Sequence, residues 1–492
     1  MQKYQTFING KWVDAAGGQV FETVNPYTTL PWALIPRCGS MDVDAAVRAA
    51  RMAFEKGEWA DMPVSRRGAL LRRLGDLITE KAEHLATIET TDNGRLLTEA
   101  RQQVTHLPQW FHYYAGMADK MDGSVPQLNK RDLLAFTRYE PLGVIAAFTP
   151  WNSPLLLLTW KLAVILAAGN TVVVKPSEFA SASTLEFMRL VEQAGFPPGV
   201  INVVTGFGNE VGEALVSHPD IAKITFTGGE IAATRIAAAT ARNLTPALFE
   251  LGGKSANIVF ADAKLENAVK AVSSGIYSSC GQACAAGSRA VVARSVYDEF
   301  VERLVHYAGE VRIGDPMNTT SQLGPIGTQP QHQKVLSYFD IGRNEGAEIA
   351  LGGKMPDPSV VGPGWFVEPT VFRGVSNKMR IAQEEIFGPI LSVIPFDDDD
   401  EALAIANDIP FGLAGGVWSS DIRRAMHAAE KLKAGTVWIN TYRAFGAMVP
   451  FGGMKRSGHG RENGRWALEE FMQSKSYWLS YADSEPEPFL MS

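Results

Sequence analysis

Disulfide frameworks and metal sites are both under-provided in this sequence. The 492 residues include three cysteines, Cys38, Cys280 and Cys284, and eight scattered histidines. Three thiols cannot all pair and a chain of this length needs no staples, so a reducing, cytoplasmic setting is expected, with thiols used for packing or chemistry. No His-Glu-x-x-His is present, no two histidines stand four apart, and Cys280 with Cys284 offers at most half a metal site; no metal is expected. Basic excess is also lacking. Lys and Arg total 46 against 53 Asp and Glu, a net charge of −7, which argues against a nucleic-acid partner. The most membrane-like stretch, Leu155 to Gly169, carries Lys161 in its middle and falls short of the roughly 20 apolar residues of a span, so a buried helix and no membrane contact are expected. The opening Met1-Gln2-Lys3-Tyr4-Gln5 leads into polar sequence without an apolar signal core. A complete Gly-x-Gly-x-x-Gly is missing too; Gly206-Phe207-Gly208 followed by Gly212 is a near miss.

What is present is ordinary in bulk. Hydrophobic residues make up 46% and charged residues 20%, as in soluble globular proteins, and the length predicts two or three lobes. Residues 41–57 and 63–90 read as amphipathic helices, the second with Leu70, Leu74, Leu77 and Ile78 on one face. From about residue 140, continuous apolar runs at 143–148, 171–175, 200–204 and 222–226 alternate with helical segments near 155–168 and 178–194. Strands without polar alternation are buried on both faces, which predicts a doubly wound α/β lobe with a parallel sheet. Ligands bind such sheets beyond the carboxyl ends of the strands, where Asn152, Lys175 and Gly228 fall. A second α/β segment begins at Asn257-Ile258-Val259-Phe260 and takes in 290–293, 415–418 and 436–440. Residues 310–370, rich in Gly and Pro, read as surface connections. The acidic run Asp397–Glu401 is placed before a helix, where it suits the dipole.

Four groups of residues carry candidate chemistry. Cys284 lies in Gly281-Gln282-Ala283-Cys284. A lone cysteine is more often a small buried hydrophobe, yet flanking glycines mark a loop that a ligand approaches closely. Glu250, between Phe249 and Leu251, reads either as an exposed acid or as a carboxylate whose desolvation makes it a base. Asn152, in a turn fixed by Pro150 and Pro154, reads as a cap or as an amide donor to an oxyanion. Lys175-Pro176-Ser177-Glu178 reads as a solvated strand end or as a clasp for ribose hydroxyls, and Gly228-Gly229 would let a helix start approach a pyrophosphate.

Together these motifs resemble the aldehyde dehydrogenase superfamily. The likeness runs from Phe7-Ile8-Asn9-Gly10-Lys11-Trp12 through Pro150-Trp151-Asn152, Lys175-Pro176-Ser177-Glu178, Phe226-Thr227-Gly228, Glu250-Leu251-Gly252-Gly253-Lys254 and Gly281-Gln282-Ala283-Cys284. It continues in Glu384-Glu385-Ile386-Phe387-Gly388-Pro389 and Pro450-Phe451-Gly452-Gly453-Met454-Lys455. The resemblance implies Cys284 as nucleophile, Glu250 as general base and Asn152 with the Cys284 backbone N–H as oxyanion hole. Lys175 and Glu178, with Ser177, would hold the adenosine ribose, and Glu385 the nicotinamide ribose. Trp151, Gly208, Phe226, Gly228, Gly229, Leu251 and Phe387 would shape the dinucleotide groove, and Trp160, Phe445 and Phe451 match pocket-lining aromatics. Ser153 replaces a common Phe, which implies a roomier or more polar pocket mouth. Gln473 stands where several relatives carry a Glu that assists a proton relay. The implied reaction is NAD-dependent oxidation of a small-molecule aldehyde to an acid through a cysteine thioester; Lys175 beside Glu178 admits NADP as well. The rivals are CoA-dependent release of the thioester and a non-catalytic structural protein on the same fold. The implied domains are a NAD-binding domain of 1–120 and 141–252, a catalytic domain of 253–468, and oligomerisation segments at 121–140 and 469–492 that build a homodimer or homotetramer.

Overall fold

The computed structural model describes residues 1–484 and 489. Two parallel sheets dominate it. The first has six strands in the order Gly458–His459, Ala247–Glu250, Ile221–Thr227, Val144–Thr149, Thr171–Pro176 and Ile201–Val203. All neighbours run parallel except Gly458–His459, which returns from far along the chain to pair antiparallel with Ala247–Glu250. Every residue of the Val144–Thr149 and Thr171–Pro176 strands is buried, as the unbroken apolar runs predict. The second sheet has seven strands in the order Glu348–Leu351, Thr370–Arg373, Ile390–Phe396, Arg289–Ala293, Ala256–Val259, Ala414–Trp418 and Thr436–Ile439. Only Glu348–Leu351 pairs antiparallel.

The apolar stretch from Leu155 forms the Pro154–Ala167 helix, with Pro at its start and nearly every side chain buried. Among the described residues no helix is long and apolar enough to cross a membrane. Asp398 accepts from the Glu401 N–H at 2.9 Å and caps the Asp399–Asn407 helix, so the acidic run supplies the cap itself.

Three expectations need correction. The helix read over 63–90 is two, Val64–Glu80 and Ala82–Asn93, broken at Lys81. Lys81 leaves helical geometry at φ −111°, ψ 15°, and Glu89, Asp92 and Asn93 are buried towards the end of the second helix. The helix expected from 178 starts at Ala182, because Ser177 to Ser181 form a turn in which the Ser181 hydroxyl donates to the Ser177 carbonyl. Residues 310–370 are not only surface connections. They contain the Gln329–Asn344 helix, whose His332, Val335, Tyr338 and Phe339 are buried. Gly and Pro there punctuate elements rather than replace them.

Candidate active site

Glu250 ends the Ala247–Glu250 strand, level with Thr227. Asn152 follows Thr149, the end of the strand on the other side of Ile221–Thr227, and Lys175 and Phe148 stand side by side at the same edge. The carboxyl ends of the first sheet therefore gather these residues into one crevice, as the parallel topology dictates. Cys284 comes from the other direction, in the loop between the Leu265–Tyr277 helix and the Arg289–Ala293 strand. A cavity of about 640 Å³ is lined by Asn152, Glu250, Leu251, Cys284, Glu385 and Phe387 together. The structure thus brings the sulfur, the carboxylate and the side-chain amide into one space. The Asn152 amide donates to the Gln282 carbonyl at 2.9 Å, which ties the two loops.

The electrostatics of this space are set by burial. Glu250 is 1% exposed, and among the described residues neither carboxylate oxygen has a hydrogen-bond partner. Desolvation pushes its carboxyl up to about 8, and the nearby Glu462 carboxylate adds to the rise. The Cys284 thiol faces it without a well-formed hydrogen bond and is pushed up by burial and then by Glu250. Cys280 is buried, and desolvation holds its thiol protonated. Among the described residues no group of His, Cys, Asp and Glu is arranged to hold a metal.

A second, larger groove of about 1990 Å³ adjoins the first and shares Pro150, Trp151 and Thr227 to Gly229 with it. Lys175, Ser177, Glu178, Gly208 and Phe226 line it. The Lys175 ammonium donates to Glu178 Oε2 at 3.1 Å. The Glu230–Thr240 helix opens onto this groove with Gly229 at its N-cap and no side-chain cap. A side chain added at Gly229 would meet nothing within 4 Å, so there is open space beside the helix start. Glu385 Oε1 accepts from the Gly253 N–H at 3.0 Å. A Cβ on Gly252 would lie 2.2 Å from Glu385 Oε2, so only glycine lets this carboxylate settle there. Trp151 and Phe387 meet edge to face at 5.6 Å.

A family model described as the aldehyde dehydrogenase family matches residues 12–477. The chain belongs to the aldehyde dehydrogenase family. It is 42% identical, over all of both chains, to the (Z)-2-((N-methylformamido)methylene)-5-hydroxybutyrolactone dehydrogenase of Acinetobacter baylyi. It is 44% identical to a hydroxyisobutyraldehyde dehydrogenase of Mycolicibacterium austroafricanum, covering 98% of this chain and 94% of that one. Its fold superposes on the NAD+ complex of an aldehyde dehydrogenase from Bacillus cereus with a TM-score of 0.96 at 42% identity, over 98% of this chain and 97% of the other.

Within this aldehyde dehydrogenase, two expected positions fall elsewhere. Gln473 lies in the Met472–Ser480 strand opposite Glu140, away from the crevice. The carboxylate that acts most strongly on Glu250 is Glu462. Glu462 is ion-paired with Lys161 in the core, and the Lys161 ammonium also donates to Thr225 Oγ1 at 3.0 Å. Lys161 has a sequence signal, a lysine inside an apolar helix that must find a buried partner; Glu462 has none. Ser153 does not open the pocket mouth. It is 8% exposed, and its hydroxyl accepts from Arg95 at 2.5 Å, so a guanidinium fills the space beside it. Trp160 and Phe451 are buried and meet at 5.4 Å, while Phe445, 41% exposed, packs on both. Cys284 packs against the apolar cluster that contains Trp160 and Phe451.

Proposed function

We propose that this chain oxidises an aldehyde to a carboxylic acid with NAD+, with Cys284 as nucleophile, Glu250 as general base and Asn152 as oxyanion donor. The observation that carries the reading is the single cavity in which these three side chains meet beside Glu385 and Phe387. Glu250 is the carboxylate that acts most strongly on the thiol. It accepts the proton as sulfur adds to the carbonyl carbon, and the negative charge passes to the aldehyde oxygen. The Asn152 amide, with the Cys284 N–H, stabilises that charge; one such donor typically lowers the barrier by about 2.7–4 kcal/mol. A nicotinamide held beside Glu385 and Phe387 would supply the hydride acceptor that the oxidation requires. Glu250, once it has released that proton, removes another from water as the oxygen attacks the thioester, and the thiolate leaves.

The residues of the larger groove fit the dinucleotide. The open first turn of the Glu230–Thr240 helix suits a pyrophosphate held by backbone alone. Lys175 and Glu178 already form the donor and acceptor pair that two ribose hydroxyls require. The Glu178 carboxylate disfavours a 2′-phosphate, so NAD+ is preferred over NADP+. Trp160, Phe445 and Phe451 form the apolar wall against which the aldehyde's substituent packs. Hydrolysis rather than transfer to CoA is supported by Glu250 itself, since a thiol acceptor needs no base for water.

The test is enzyme quenched during turnover, with mass spectrometry of the peptide carrying Cys284. Wild type is expected to show an acyl adduct on that sulfur. Cys284→Ala is expected to bind NAD+ normally and form no NADH. Turnover by Cys284→Ala would overturn the assignment, and acyl-CoA as the product in the presence of CoA would favour the rival release step.

A further inference from the structure

Two loops of separate origin meet at the proposed oxyanion hole, and one side chain reaches both. Arg95 follows Gly94, which ends the Ala82–Asn93 helix at φ +76°. Its side chain is 7% exposed. Nη2 donates to the Asn152 carbonyl at 2.6 Å and to Ser153 Oγ at 2.5 Å, and Nη1 donates to Ser279 Oγ at 3.0 Å. Nε stands 3.7 Å from Glu89 Oε1. Glu89 in turn accepts from the Leu155 N–H at 3.3 Å through its other oxygen. Asn93 adds a donor to the Trp151 carbonyl at 3.2 Å.

The loop on the Ser279 side needs such support. Ser279, Cys280 and Gly281 have φ of +55°, +55° and +70° in succession. The first two carry side chains in a left-handed conformation that persists only where neighbours over-determine it. Ser279 is held at both ends, by Arg95 at its hydroxyl and by Glu99, which accepts from its N–H at 2.8 Å. A guanidinium presents several donors in a rigid planar fork, which a lysine ammonium does not.

We propose that Arg95 is a positioning residue that clamps the Asn152 turn to the Cys284 loop and so fixes the oxyanion hole. The inference rests on Asn152 being the oxyanion donor. Without the clamp the turn and the loop shift against each other, and the amide no longer meets the developing charge. Displacements near 1 Å at a reacting centre cost about 10²-fold in rate.

The experiment is a double-mutant cycle on the rate of the first-turnover NADH burst. Arg95→Met is expected to lower that rate by about 10²-fold, with NAD+ affinity within about 2-fold of wild type. In an Asn152→Ala background the same change is expected to cost less than about 3-fold, because coupled groups are not additive. Arg95→Lys, which keeps the charge but not the fork, is expected to lose about 10-fold; it carries the cycle if Arg95→Met fails to unfold cooperatively. Additive losses, or a burst unchanged in both Arg95 variants, would overturn the clamp while leaving the Asn152 assignment standing. An unchanged burst in Asn152→Ala alone would instead overturn the oxyanion reading and the clamp with it.

Discussion

Glu250 is a base because it is uncomfortable. A carboxylate with two unpartnered oxygens in a buried site resists ionisation, and Glu462 adds like charge. Its folded-state affinity for the proton lies at about 8, above the ordinary carboxyl value of 4.5. Only the ionised form removes a proton from water, so the rate of thioester hydrolysis is expected to rise with pH through about 8 and then level off. Glu462→Gln removes the like charge and leaves Lys161 unpaired nearby, and both changes favour the Glu250 anion. The midpoint of the hydrolysis profile is therefore expected to move to lower pH; a midpoint that stays or rises would remove Glu462 from the account. The stability sign runs the other way. A carboxyl with a raised folded value is cheapest when protonated, so its destabilising effect grows between pH 4.5 and about 8. Cys284, Glu250 and Asn152 are legible in the sequence because each sits in a local motif with glycine or proline. Glu462 and Arg95 are not, because each acts through partners that only the fold brings near, such as Lys161 in the core for Glu462 and Ser279 for Arg95.

The elements of the first sheet are legible for the same reason that they are stable: continuous apolar runs have only a doubly covered sheet to go to. The Lys81 break is not, because Leu74, Leu77 and Ile78 before it and Leu85 and Ala86 after it are all buried, and a helical pattern alone does not show where the axis turns. The helix within 310–370 is hidden by composition, since Gly and Pro at its borders lower the average over its length. The Cys284 loop depends on a glycine in a way that local sequence does suggest. Gly281 has φ +70°, and a Cβ there would lie 2.0 Å from the Gly388 carbonyl oxygen. That neighbour is backbone and belongs to the segment carrying Glu385 and Phe387. Gly281→Ala is therefore expected to cost about 2–4 kcal/mol of stability, from left-handed strain and a clash that cannot rotate away. It should lower the NADH burst rate by more than about 10²-fold, while Tm and burst rate in Gly17→Ala, where the added Cβ meets nothing within 4 Å, should stay near wild type. Thermal melts and stopped-flow absorbance on the two variants check this contrast.

At the scale of the whole molecule, one of the small sheets outside the two large ones is a lone ribbon. The Leu133–Pro141 and Met472–Ser480 strands form a two-stranded antiparallel ladder of nine register pairs, with Phe136 stacked on Tyr477 at 4.9 Å. Residues 485–488 and 490–492 of the expected oligomerisation segment lie outside the described residues. An isolated two-stranded ribbon is marginal in water, and its outer edges offer unpaired N–H and C=O groups. Leu134 and Leu479 face each other across the ladder and are 39% and 54% exposed, and Trp478 is 65% exposed. Apolar surface on a ribbon edge is most economically covered by the same ribbon of another copy, which a two-fold axis allows without leaving an open edge. We therefore expect Trp478→Glu combined with Leu479→Glu to lower the mass seen by sedimentation to that of a single chain. An unchanged assembly would show that the ribbon is not the contact. The site residues all come from one chain: Glu250 and Asn152 from the first sheet, Cys284 and Glu385 from the second segment. Dissociation is accordingly expected to leave NAD+ binding and the NADH burst within a few-fold of wild type, since the ribbon supplies none of the groups that line the cavity.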